Sequence, residues 1–74
     1  MFANVEIAKE VYGRLLEARK ILANSVADIK GRCSEEEYFR YRKGIGDALG
    51  LLITDVMDPI QDRHPAVVPQ DEAH

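Results

Sequence analysis

The fold is decided by a short polar stretch near the middle of the chain, residues 30–37, which reads Lys30-Gly31-Arg32-Cys33-Ser34-Glu35-Glu36-Glu37. Gly31 is suited to the left-handed backbone conformation with which many helices end. Ser34 and Glu37 have the spacing of a capping box, in which each side chain accepts a hydrogen bond from the other residue's amide. The stretch predicts that one helix ends near residue 30 and a second begins at Glu35. So short a connection favours two antiparallel neighbours.

The residues before this turn predict one long helix over about residues 3–30. No proline interrupts them, and apolar residues recur at alternating spacings of three and four, as a helix-packing seam requires. The seam consists of Val5, Ala8, Tyr12, Leu15, Arg19, Leu22, Val26 and Ile29, all of them apolar except Arg19. Further apolar residues widen it on both flanks, namely Ile7, Val11, Leu16, Ala18, Ile21 and Ala23. An arc this wide predicts two neighbouring helices rather than one.

The residues after the turn predict a second helix over about residues 35–57. Its seam consists of Tyr38, Arg42, Ile45, Leu49, Leu52 and Val56. Asp58-Pro59 is a boundary signal, because proline lacks an amide donor and disfavours helical geometry in the preceding residue. The helix is expected to end or kink there, with room for an extra turn over residues 59–63 capped by Asp58. Residues 65–74 carry two prolines and no periodicity, which predicts a flexible tail after a helical hairpin of residues 1–64.

Glycines are unusually frequent in the middle of the second helix. Gly44, Gly46 and Gly50 fall within seven residues, and each costs about 1 kcal/mol relative to alanine in a helix interior. The apolar period continues through them, which favours one unbroken helix. A phosphate-binding loop would need a preceding strand and different residues at its end. We therefore predict that Gly46 and Gly50, four residues apart, allow another helix to approach closely.

Cations and aromatic residues alternate just after the turn. Lys30, Arg32, Arg40, Arg42 and Lys43, with the neighbouring aromatics, could form a patch that binds RNA or single-stranded DNA. The net charge of −3 and the three glutamates beside the patch argue against it. Pairing of Glu36 with Arg40, with the aromatics turned into a bundle, is the simpler interpretation.

Length and composition predict self-association. Ordering each residue costs on the order of 1.5 kcal/mol, and the core of a very small domain recovers little more than that. The single cysteine of the 74-residue chain cannot form an internal disulfide, so oligomerisation is the remaining supplement. In shape the pattern resembles the small two-helix hairpins, Rop among them, that dimerise into antiparallel four-helix bundles. That resemblance is one of architecture and implies no function.

Chemistry-bearing residues are sparse. The acidic C-terminal region holds Asp58, Asp62 and His64, which resemble an ordinary acidic terminus more than a metal site, and Cys33 has no partner histidine nearby in the sequence. We expect no catalytic residues, no metal and no cofactor. A free thiol without an export signal or a membrane-spanning run predicts a cytoplasmic protein. The leading hypothesis is an all-α, non-enzymatic homodimer acting through protein contacts, and the alternative is a nucleic-acid-binding hairpin dimer.

Overall fold

A computed structural model of the protein describes residues 1–68. The elements are α1, Val5–Ile29; α2, Glu35–Leu52; a π-helical turn, Ile53–Met57; α3, Asp58–Arg63; and a 3-10 turn, Pro65–Val67. Residues 1–68 contain no strand. The predicted all-helical class and the two-helix hairpin are therefore confirmed.

Local hydrogen bonds set both ends of α1. At its start, the Asn4 side-chain oxygen accepts from the amides of Glu6 and Ile7, at 2.8 and 3.3 Å. At its end, Lys30 is extended, Gly31 has a φ of +80°, and the Arg32 amide donates to the carbonyl oxygen of Ile29 at 3.0 Å. These are the features of a type II turn, which needs a residue at positive φ in its third position. Gly31 thus reverses the chain as its sequence position predicted.

The predicted capping box starts α2. The Glu37 amide donates to the Ser34 hydroxyl oxygen at 3.1 Å, and the Ser34 amide donates to the Glu37 carboxylate at 3.0 Å. Two amides that would otherwise lack a partner at a helix start are satisfied in this way. The hairpin therefore has a short connection with defined geometry on both sides.

Pro59 neither ends nor interrupts the second helical arm. The backbone passes from α2 through the π-helical turn directly into α3, and the Asp58 amide donates to the carbonyl oxygen of Ile53, five residues earlier. A proline ring clashes with the carbonyl four residues before it in an ordinary helix, and a π-helical turn widens the backbone at that point. Asp58 is itself helical, at φ −61° and ψ −45°, so its predicted role as the cap of a separate turn is wrong.

The buried core lies at the open end of the hairpin, away from the turn. It consists of Ala8, Tyr12, Leu16, Met57, Ile60 and Val67. Partly buried apolar residues pack against this cluster, namely Val11, Leu15, Leu52, Ile53, Val56 and Val68. Towards the turn the seam positions Val26, Ile29, Ile45 and Leu49 are only half-buried. The hairpin is therefore closed at one end and thinly packed at the other.

The packed part of the chain extends past the boundary predicted at Pro65. Residues 65–67 form a 3-10 turn, and Val67 is 7% exposed within the core. Its burial recovers apolar surface that a two-helix hairpin alone would leave in water. The first residues of the predicted tail are thus part of the fold, and residues 69–74 lie outside the described residues.

The molecule is elongated. Its principal extents are 45 × 22 × 20 Å and its radius of gyration is 14.7 Å, whereas a compact chain of this length would have a radius of about 11 Å. Two helices side by side account for this shape. A large share of each helix therefore faces solvent.

The capping box generates the first prediction. Ser34→Ala should lower the free energy of unfolding by about 1 kcal/mol, because the Glu37 amide loses its acceptor. Ser34→Asp keeps a side-chain acceptor at the cap and should be close to the wild type. Urea unfolding followed by circular dichroism measures both, and equal losses for the two variants would contradict the capping account.

The packing of the C-terminal 3-10 turn leads to a second testable prediction. Val67→Ala should lower the free energy of unfolding by about 1–3 kcal/mol, since it removes two buried methyl groups and leaves a cavity. The matched control is Val5→Ala, where the side chain is 39% exposed and the loss should be much smaller. If the two substitutions cost the same in chemical denaturation, residues 65–68 do not belong to the core.

Candidate interaction site

The turn divides the predicted basic and aromatic patch between its two sides. One shallow depression is lined by Lys30, Gly31, Cys33, Glu35, Tyr38 and Phe39. A second is lined by Ile29, Arg32, Cys33, Glu37 and Tyr41. Each depression therefore places one turn cation beside one glutamate of the first turn of α2. Neither is a purely cationic surface of the kind that phosphates favour.

The three cations of α2 do not converge either. At about 100° per residue, Arg40 and Arg42 project about 160° apart around the helix. Lys43 donates to the Asp47 carboxylate at 2.9 Å, and this hydrogen bond, with the attraction of the carboxylate charge, raises the pKa of Lys43. The predicted pairing of Glu36 with Arg40 is not formed in the described residues. The five cations are thus dispersed rather than assembled into one patch.

The aromatic residues have separate environments. Tyr38 is half-buried, and its ring meets that of Phe39 edge-on at a centroid distance of 5.7 Å. Phe39 is nevertheless 57% exposed. Tyr41 is exposed, and its hydroxyl shares a hydrogen bond of 2.8 Å with the Ser25 hydroxyl. The expectation that the aromatics turn into the interior therefore holds only for Tyr38.

A continuous surface lies on the side of the hairpin where Ser25 meets Tyr41. We call it the Ser25–Tyr41 face; it consists of Ile7, Val11, Arg14, Ala18, Ile21 and Ser25 of α1 and Tyr41, Gly44, Ala48 and Leu51 of α2. Both rows alternate in steps of three and four residues, so each forms a stripe along its helix. The hydrogen bond between the two hydroxyls places the stripes side by side.

This face is apolar and exposed. Eight of its ten residues are exposed, and the other two, Val11 and Ser25, are half-buried. Ile21 is 60% exposed and Leu51 63%, and both belong to this one contiguous face. Arg14 is its one charged residue, and that guanidinium donates to the Glu10 carboxylate at 3.1 Å. The face has the composition of a contact surface rather than of a solvated helix exterior.

The predicted close-approach glycines lie on a different side of α2. Gly46 and Gly50 follow Phe39 at spacings of seven and eleven residues, so the three share one stripe. A Cβ at either glycine would meet no atom of residues 1–68 within 4 Å, so no described helix approaches them. The half-buried residues of α2 are instead Tyr38, Ile45, Leu49 and Leu52. Their close approach stays a prediction about contact with another molecule.

The predicted packing residues fall into three groups. Ala8 and Tyr12 are buried, and Leu15, Leu52 and Val56 pack against the core. Val26, Ile29, Ile45 and Leu49 are half-buried. Val5 and Leu22 are 39% and 36% exposed within the single chain. Within the single chain, burial along the predicted seam is deepest at Ala8 and Tyr12 and decreases towards the turn.

The core also contains residues that the predicted seams did not include. Leu16 and Met57 adjoin the seams and became central, whereas Ile60 and Val67 come from segments assigned to an extra turn and a tail. For Leu16 and Met57, the apolar spacing of the helices already indicated a position beside the seams. Val67 carried none, because a proline-flanked valine pair has no periodicity that could place it against α1.

Residues 1–68 offer no cluster of three or more side chains suited to hold a metal ion. His64 instead shares a hydrogen bond of 2.8 Å with the carbonyl oxygen of Phe2, and the Tyr12 hydroxyl donates to the Gln61 side chain at 3.4 Å. Asp58 and Asp62 are exposed. Across the part of the chain that the structure describes, no helix has the length and apolarity needed to cross a bilayer.

We compared the chain with models of protein families, with curated proteins and with solved structures, and none of the three comparisons found a match. The function must therefore be argued from the geometry and chemistry of the chain itself.

The capping carboxylate generates a prediction about pH. The hydrogen bond from the Ser34 amide, and next the Ser34 side chain, lower the pKa of Glu37 below its ordinary value of 4.5. A group whose pKa is lower in the folded state stabilises the fold fully above its unfolded pKa, and this contribution disappears as the pH falls through the folded pKa. The loss should therefore occur below about pH 4.5.

The matched variant is Glu37→Gln, which keeps an acceptor at the same position but does not titrate. Over the acidic range its stability in urea should fall less than that of the wild type. A carboxyl chemical-shift titration gives the pKa of Glu37 directly, and a value at or above the ordinary one would refute the reciprocal cap in solution.

Proposed function

We propose that this protein is a non-enzymatic homodimer, built from two helical hairpins, that acts through protein–protein contacts. The half-buried seam near the turn carries this proposal. Val26 and Ile29 of α1 and Ile45 and Leu49 of α2 are only half-buried and remain accessible to solvent. A third and a fourth helix alongside would complete their burial, as in a four-helix bundle.

The exposed area supports a second copy as the partner. The chain exposes 5499 Å², whereas a compact monomer of 8.3 kDa exposes only about 4,600 Å². The difference of roughly 900 Å² is close to the ~800 Å² that each partner buries in a stable protein interface. Homodimers with twofold symmetry are also the commonest assemblies of soluble proteins.

The alternative function, nucleic-acid binding, draws less support from the surface. Its five cations are divided between two sides of the turn and two directions of α2, and Lys43 is paired with Asp47. Phosphate binding requires several cations that can engage one backbone together. Catalysis is the least favoured alternative. The thiol that lines both depressions at the turn, Cys33, donates to the carbonyl oxygen of Ile29 at 3.6 Å, and none of the described residues lining them is a histidine that could activate it.

The dimer proposal is tested with Leu22, a seam residue left partly exposed in the single chain. Leu22→Asp should dissociate and unfold the protein together, because a core this small has little stability to retain as a monomer. Asn24→Asp is the matched control; it adds the same charge on the solvent-facing side of α1 and should leave the assembly intact. Sedimentation velocity and circular dichroism over a concentration series measure both properties.

Two results would contradict the proposal. One is a wild-type protein that sediments as a folded monomer at all concentrations up to about 100 µM, where an interface of ordinary size is occupied. The other is binding to RNA or single-stranded DNA that weakens steeply with salt, which would favour the alternative function.

A further inference from the structure

We infer that the second copy docks on the Ser25–Tyr41 face, so that two such faces form the interior of the dimer. This inference rests on the proposed homodimer and adds which surface is buried in it. The molecule that covers this face is a second copy of the same chain.

The two flanks of the seam differ in what already covers them. On one flank, Tyr12 and Leu16 are buried in the same cluster as Val67, and the Tyr12 hydroxyl reaches Gln61 of α3. The chain's own C-terminal segment therefore covers this flank at the open end. On the other flank, Ile7 and Ile21 remain 46% and 60% exposed. Among the described residues the face is therefore open at Ile7 and Ile21, and Val11 between them is half-buried against the core.

The pattern of the face suits a twofold helical contact. Its two stripes have the alternating three- and four-residue spacing with which helices pack side by side. The Ser25–Tyr41 hydrogen bond sets the register between the helices, so that Ala18 lies level with Ala48 and Leu22 with Gly44. Ala18 and Ala48 therefore give the middle of the face small residues. Gly44 and the exposed Ile21 lie on the side towards the turn, and the exposed Leu51 lies on the side towards the open end. A second hairpin can approach closely at the centre while large side chains interdigitate around it.

The polar groups of the face are already satisfied, which lowers the cost of burying them. The Ser25 hydroxyl is 2.6 Å from the carbonyl oxygen of Leu22 and 2.8 Å from the Tyr41 hydroxyl. Burying a hydroxyl without a partner would oppose association, and here neither hydroxyl lacks one. Arg14 reaches Glu10, outside the face, so its charge is directed towards the edge.

The experiment places one charge at the centre of the face and compares it with the same charge elsewhere. Ala18→Arg and Ala48→Arg alter exposed alanines, and arginine is a good helix former, so neither disturbs the hairpin itself. Ala27→Arg is the matched control, an exposed alanine nine residues from Ala18 and half a turn around α1. Gly50→Leu tests the competing glycine stripe. Sedimentation equilibrium gives the dissociation constant of each, and the concentration dependence of the melting temperature gives a second measure.

We expect each face variant to raise the dissociation constant about 30-fold or more, because an unpaired charge would be buried in the contact. The Ala27→Arg control and Gly50→Leu should stay within about threefold of the wild type, since neither residue would be in the contact. A different result would overturn the proposed surface: the wild type dimerises, Ala27→Arg or Gly50→Leu weakens the dimer, and Ala18→Arg and Ala48→Arg do not. In that case the dimer forms through a surface other than the Ser25–Tyr41 face. If the wild type is monomeric, the proposed function fails as well.

Discussion

Two antiparallel helices touch along one line, and each can bury only the residues nearest that line. This limit determines how much of the seam is buried at each end of the hairpin. At the open end the chain itself buries more of the seam, because α3 and the 3-10 turn add Ile60 and Val67 to the core that α1 and the second arm form. Near the turn no described segment performs this role. The seam there stays half-exposed, and this is the observation behind the proposed dimer.

The continuity of the second arm through Pro59 makes the closed end possible. A helix that stopped at Asp58 would release Ile60 and Val67 from the hairpin and leave Ala8 and Tyr12 without cover. The π-helical turn instead accommodates the proline and adds a residue to the turn, which rotates all later side chains relative to α2. Met57 and Ile60 therefore face the core in a phase that differs from the seam through Ile45 and Leu52.

The surface that results is asymmetric in chemistry. Cations surround the turn but are interrupted by Glu35, Glu37 and Asp47, which favours local pairing over recognition of a phosphate backbone. Four of the nine large apolar side chains that are exposed in the described residues lie together on the Ser25–Tyr41 face, namely Ile7, Ile21, Tyr41 and Leu51. Large exposed apolar patches on small proteins mark sites of association. This contrast is why we propose contact with a second hairpin rather than binding of a nucleic acid.

The sequence by itself determined the local events. Gly31, Ser34 and Glu37 define the turn through backbone conformation and hydrogen bonds within a few residues, so their outcome does not depend on the rest of the chain. The three-and-four spacing likewise located both seams and the wider apolar arc through Ile7 and Ile21. Only the tertiary structure decided how deeply each residue is buried, since burial depends on what lies opposite.

Three outcomes show why this part could not be predicted. The helix continues through Pro59 because a π-helical turn precedes it, and Val67 is buried because it packs against apolar residues of α1. No local sequence pattern predicts either outcome. The cations near the turn are adjacent in the sequence, yet the geometry of the turn and the 100° step of the helix separate them in space. Side chains that alternate along a chain share a surface only when the backbone places them on one side.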